Sequence, residues 1–199
     1  MGSLQFTEQH NPDHSRISSI AVSTRHLIEV ADQFSLKRPN RDEVHQGREV
    51  AINAIGQNIA EADTYLSIQE HSGICPLVFR EEGIVTGMLA MLLLNQTGHR
   101  ALRDGDFNAI KPHISHLSLA GECVSAVYGW GFVATTKLAG RALVGATSAY
   151  QKELFSSIDC YTRAATPDGK RVLVDALGYR SVPWPDETGL IWIPGKAEA

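Results

Sequence analysis

The segment TTKLAGRALVGATSAYQKEL, residues 135–154, follows a run of β-formers and itself has the pattern of a helix. It places Lys137, Gly140 and Ala142 where a strand hands over to a helix. Gly140 has no Cβ, so the backbone there can approach another group closely. A helix N-terminus adds unpaired N–H donors and a partial positive charge. Together these predict an anion-sized cradle built from the backbone N–H groups of residues 138–143, with Lys137 or Arg141 adding charge. A phosphate is the group that such a cradle accepts.

The elements that must position this cradle follow from periodicity and turn chemistry. ISSIAVS (17–23) predicts a first strand, and Ser23 or Thr24 then caps a helix carrying Leu27, Ile28, Val30 and Ala31. After a polar break marked by Pro39 and Asn40, apolar residues recur at helical spacing from Asp42 to about Leu66, predicting one amphipathic helix. CPLVFREEGIVTGMLAMLLLN predicts a hairpin turning at REEG. Residues 96–117 form a polar excursion with two glycines. CVSAVYGWGFVA (123–134) is the most strand-like stretch, and a helix is expected from about Gly140 to Phe155. SIDCYTRAAT predicts a strand ending at Thr166. A short helix follows, capped by Thr166, with Pro167 at its first position and Gly178 as its stop. YRSV and GLIWIP close the chain as strands. The order implies an α/β fold with a mixed sheet, and the strand–helix–strand unit over 123–163 implies a parallel pair.

Composition narrows the function classes. The chain has 199 residues, 43% hydrophobic and 20% charged, as expected of a soluble domain with a sizeable core. Residues 1–15 are expected to be a flexible polar lead-in and 16–199 a single domain. A net charge of −4 supplies no basic field for nucleic acid. No segment has the apolar core of a signal peptide, and GMLAMLLL (87–94) is too short to span a bilayer, so a cytoplasmic protein without a membrane partner is expected. Cys75, Cys123 and Cys160 form no CxxC pair and lie in or beside apolar runs, predicting reduced, buried thiols. His113 and His116 lack a third ligand, so no metal is expected. No GxSxG, P-loop, HExxH or GxGxxG motif is present. The sequence leaves self-association into a homodimer open.

From about residue 74 to 194 the chain resembles the GNAT acetyltransferase superfamily. Its members carry Gln or Arg, two residues, Gly, one residue, then Gly or Ala between a strand and a helix. KLAGRA matches at Lys137, Gly140 and Ala142, with Lys in place of the usual first residue. ATPDGKRVLVDALGYRSV (165–182) resembles the family's later helix–strand unit, with Gly178-Tyr179 where Gly-Phe is common. The resemblance implies a GNAT-like α/β fold, with a mostly antiparallel central sheet, one parallel strand pair and flanking helices. It also implies an acyl-CoA-dependent N-acyltransferase, with acetyl-CoA or another acyl-CoA as co-substrate and a small-molecule or protein amine as acceptor. The family's sheet splays beside the strand that precedes the signature, so Phe132, Val133 and Ala134 would pair with the pantetheine amides. Lys137, Leu138, Ala139, Gly140, Arg141, Ala142 and Leu143 would hold the pyrophosphate.

Two departures bear on mechanism. Many family members place a Tyr acid in the last helix, where Leu173 and Val174 stand here. The family's strand carboxylate has Glu122 as its one counterpart, far from Lys137. Strand alternation puts Glu122, Val124, Ala126, Tyr128 and Trp130 on one face and Cys123, Ser125 and Val127 on the other. Tyr128 is therefore the first choice for a proton relay, through water to Glu122, with Ser125 and His116 as further polar candidates. Two alternatives stand beside this reading: a GNAT-like acyl-CoA-binding or regulatory module without catalysis, and an acyltransferase that builds a signalling molecule.

Overall fold

The computed structural model describes residues 19–196. The lead-in expected over 1–15 and the first two residues of the 17–23 strand lie outside that range. Ile20–Ala21 forms a short strand, β1. Ser23 then caps α1 (Thr24–Gln33), its hydroxyl accepting the His26 N–H, and Leu27, Val30 and Ala31 turn inward. Asn40 opens α2 (Arg41–Ile55) through a capping box: its side chain accepts the Glu43 N–H, and the Glu43 carboxylate accepts the Asn40 N–H.

The single helix expected over 42–66 is two. Gly56 stops α2 with φ at +93°, and α3 (Ala62–Ser72) starts after a short link. The apolar period ran across this break because Ile55, Ile59 and Ala60 pack on the same core as both helices. The hairpin forms as expected, from β2 (Leu77–Glu81) and β3 (Ile84–Leu94). Glu82 and Gly83 both have positive φ, the geometry of a tight turn that matches strand twist.

The polar excursion hides a helix, α4 (Gln96–Asp104), capped by the Asn95 side chain and closed by Gly105 in the left-handed region. A single 3₁₀ turn follows at Ile114–His116. The strand expected over 123–134 is also divided. β4 (Cys123–Val124) leaves to pair with β1, and β5 (Ala126–Ala134) enters the main sheet. Then come α5 (Lys137–Glu153), β6 (Asp159–Arg163) and α6 (Pro167–Arg171), which a π turn extends over Val172–Ala176. β7 (Arg180–Ser181) and β8 (Leu190–Ile193) end the fold.

The six-stranded sheet has the order β2-β3-β5-β6-β8-β7, and only β5 and β6 run parallel. This is the mixed α/β fold that the order of elements implied. Helices cover both faces, which explains the unbroken apolar run of β3. Leu89, Met91 and Leu93 enter one core with Leu27 of α1, Leu143 and Tyr150 of α5, and Leu173 of the π turn. Met88, Ala90, Leu92 and Leu94 enter the other with Val44 of α2, Tyr65 of α3 and Leu102 of α4. Among the described residues no helix is long and apolar enough to cross a membrane.

Candidate functional site

β5 and β6 pair in parallel for four residues, from Ala126↔Asp159 to Gly129↔Thr162, and then part. The Thr162 hydroxyl donates to the Gly129 carbonyl at 2.9 Å and closes the paired part. Beyond it β5 runs on to Ala134, hydrogen-bonded to β3 alone. Two local features drive the strands apart. Trp130 is an extra residue in β5, inserted between the pairs Met91↔Gly129 and Ala90↔Gly131. On the other side β6 stops at Arg163, and Thr166 turns the chain into α6 by accepting the Gly169 N–H.

The result is an open cavity, with the free backbone edge of β5 from Gly129 to Phe132 as one wall. Strand backbone carries a donor and an acceptor at every non-proline residue, and an unpaired edge is a template for a ligand that has amides of its own. The bulge also reverses the alternation of β5. Tyr128 and Trp130 face the α2–α3 core, Phe132 and Ala134 face the α5 core, and Val133 returns to the first. The gap therefore opens on both faces of the sheet. Ile55, Trp130 and Arg163 line it from the α2 side, and Phe132, Ala164 and Leu173 from the α5 and α6 side.

Arg163 is the one ionisable side chain among the lining residues. Its Nε donates to the Thr188 hydroxyl at 2.9 Å and its Nη1 to the Tyr128 hydroxyl at 3.4 Å. The guanidinium also lies over the Tyr128 ring, 5.9 Å from its centroid. Tyr128 is buried beside the gap and packs on Phe107. Burial raises its phenol above the ordinary value of 10.0, with Arg163 opposing. A protonated phenol at neutral pH can donate, not abstract.

The N-terminus of α5 lies three residues earlier than the expected start at Gly140. Thr136 is its cap: the hydroxyl accepts the Ala139 N–H and the carbonyl accepts the Gly140 N–H. Only the N–H groups of Lys137 and Leu138 are left without such partners, because those of Arg141, Ala142 and Leu143 lie within the helix ladder. Ala139, Leu143 and Val133 turn their side chains into the core, whereas Lys137, Leu138 and Arg141 are exposed. Gly140 borders open space. A Cβ there would meet only the Ala134 Cβ, at 3.9 Å. The Glu81 carboxylate already sits at this helix end, accepting from the Thr136 hydroxyl at 2.5 Å and the Thr86 hydroxyl at 2.8 Å.

Glu122 does not join Tyr128. It closes a local turn before β4, its carboxylate accepting the Leu119 N–H. The break at Ser125 puts Val124 in the α5 core and Ala126 in the other, so the shared face expected from Glu122 to Trp130 does not exist. Ser125 is buried, and the His116 ring lies tilted against Phe107 at 6.1 Å and against His113 at 5.8 Å. Cys75 and Cys160 are buried as expected, but Cys123 is exposed because β4 pairs only at the rim. Among the described residues no group of three or more His, Cys, Asp or Glu side chains is arranged to hold a metal.

Compared with models of known protein families the chain matches none, and no curated protein proves similar to it. Sequence reasoning missed Arg163, Thr162 and Ile55, which reach the gap only through the sheet register and the α2 packing. It also missed a buried cluster at the opposite end of β6. There the Tyr161 hydroxyl donates to Asp159 at 2.8 Å and lies 3.1 Å from His99 Nε2. Burial depresses the His99 pKa despite the nearby Asp159 carboxylate, keeping the imidazole neutral at physiological pH.

Proposed function

We propose that this chain is a GNAT-like acyltransferase that binds an acyl-CoA thioester in the gap between β5 and β6 and passes the acyl group to a small-molecule or protein amine. The observation that carries the reading is the free edge of β5, which lines the cavity from Gly129 to Phe132 and leads on, past its end at Ala134, to the start of α5 at Lys137. Pantetheine has two amides with the donor and acceptor pattern of a strand, and the diphosphate of CoA suits the N–H groups of Lys137 and Leu138 with the Lys137 and Arg141 side chains nearby. The donor enters from the α5 and α6 face and the acceptor from the face of Ile55, Trp130 and Arg163. A cytoplasmic setting supplies the thioester and keeps the thiols reduced.

The chemistry asks little of the protein beyond proximity. The amine nitrogen bonds to the thioester carbonyl carbon, the C–S bond breaks, and CoA leaves as thiolate. Tyr128 supplies the proton that the thiolate takes. The proton lost by the amine goes to water, and water returns one to the Tyr128 phenolate, since among the described residues no carboxylate or histidine lines the gap. That same lack favours a second reading, an acyl-CoA-binding module with no turnover.

Calorimetry with CoA and acetyl-CoA, paired with acetyl transfer to a panel of amines, separates the two. Tyr128→Phe is expected to keep CoA affinity and lose about 10²-fold in rate. An unchanged rate reduces Tyr128 to a packing residue. Affinity without turnover by the parent protein selects the binding module, and no affinity for CoA removes both readings.

A further inference from the structure

Behind the gap, on the α5 side of the sheet, lies a second, smaller cavity. Gly129 belongs to the walls of both cavities and brings no side chain to either. The second cavity runs along β5 at least to Val127, roughly 7 Å further at about 3.3 Å per residue. Leu89, Met91, Val127 and Phe155 make its walls largely apolar. Cys160 also faces it, but burial pushes that thiol up to about 12, which leaves it protonated and a poor nucleophile.

Two polar side chains break the apolar lining. Thr147 and Gln151 stand one turn apart on α5, and both lie in the cavity wall. Thr147 Oγ1 and Gln151 Nε2 are buried without a hydrogen-bond partner. The Gln151 amide is near enough to the Tyr179 phenol to oppose the dominant effect of burial on its pKa, but it falls short of hydrogen-bond geometry. Buried polar groups in native proteins are nearly always satisfied, so Thr147 Oγ1, and Gln151 Nε2 with only the Tyr179 phenol beside it, leave room for an acceptor from outside the chain.

We propose that this second cavity holds the acyl chain of the donor thioester, and that the chain is longer than acetyl and carries an oxygen received by Thr147 and Gln151. The proposal rests on the reading of the gap as an acyl-CoA site. With the thioester carbonyl at Gly129, an acetyl group would end in the gap and leave the apolar cavity and both donors unused. A chain of several methylenes would fill the cavity, and a hydroxyl or keto oxygen on it would meet the donor pair.

Calorimetry of the parent protein with CoA, acetyl-CoA, hexanoyl-CoA and 3-hydroxyhexanoyl-CoA tests this directly, without any acceptor amine. Each methylene that enters the cavity should tighten binding roughly fourfold, the equivalent of about 0.8 kcal/mol per buried CH₂. Hexanoyl-CoA should therefore bind more than tenfold tighter than acetyl-CoA, and the 3-hydroxy thioester several-fold tighter again. In the double variant Thr147→Val, Gln151→Leu, checked for an unchanged melting temperature, the gain from chain length should persist and the gain from the hydroxyl should vanish. Equal affinity for CoA and all three thioesters overturns the proposal and leaves the acyl-CoA reading standing. A hydroxyl preference that survives the double variant overturns the role of Thr147 and Gln151. No binding of CoA overturns both readings together.

Discussion

Glu81 stands where the proposed diphosphate would have to come. Its carboxylate is tied to Thr136 and Thr86 and faces the positive end of α5, a favourable placement in the absence of ligand. Against a phosphate the same charge is repulsive, and Lys137 and Arg141 must outweigh it. Glu81→Gln keeps an oxygen able to accept from Thr136 and removes the charge. CoA affinity is expected to rise about two- to fivefold in this variant, the size of one charge contact near a helix end. The gain should shrink as salt is added. An unchanged affinity measured by calorimetry would place the diphosphate away from the α5 N-terminus.

At the scale of elements, the sequence was most legible where one short signal decides the backbone. The positive-φ pair Glu82–Gly83, the Thr166-Pro167 helix start and the Gly178 stop were all readable, because each is set by neighbours in sequence. The α2–α3 break was not, since the period continued across Gly56. The bulge at Trp130 was not readable either; it exists only in the pairing of β5 with β3. The face expected from Glu122 to Trp130 fails for a separate reason, the break at Ser125 where β4 leaves to pair with β1, whereas Ala126, Tyr128 and Trp130 do share one face. α4 was hidden because its glycine looked like a loop signal. Gly98 is needed instead for contact, as a Cβ there would lie 2.1 Å from the His116 carbonyl oxygen. Gly98→Ala should cost about 3 kcal/mol and lower the melting temperature by roughly 6–10 °C. Gly140→Ala, whose Cβ meets open space, should leave melting unchanged or raise it. Equal melting of the two variants would mean that α4 does not pack on the 114–116 turn.

At the scale of the whole molecule, buried acids and one buried base set the pH range of stability. Burial raises the phenols of Tyr65, Tyr150, Tyr161 and Tyr179 above 10.0, and pushes the Cys75 and Cys160 thiols from 9.0 up to about 12. These groups are protonated in the fold, with folded pKa values above the unfolded ones. Their stabilisation is thus complete below pH about 9 and is lost as pH climbs toward the folded values. His99 acts in the opposite sense. Its folded pKa is lowered from 6.5, so its share is complete above pH about 6.5 and is lost on acidification through the lower folded value. Urea midpoints should form a plateau near pH 7–9 that declines on both sides. A midpoint that stays flat to pH about 11 would show that solvent reaches the thiols and phenols in the fold.

The gap that passes through the sheet has a consequence for the order of events in turnover. Among the described residues its lining offers no cysteine or serine to carry an acyl group, and its two threonines are engaged, Thr162 with the Gly129 carbonyl and Thr166 as a helix cap. Under the proposed function the acyl group passes directly from donor to acceptor, so both must be present at once, one on each side of the same opening. Double-reciprocal plots of initial rate should therefore intersect rather than run parallel. CoA left in its half of the passage should not displace the amine, and each half should fill without emptying the other.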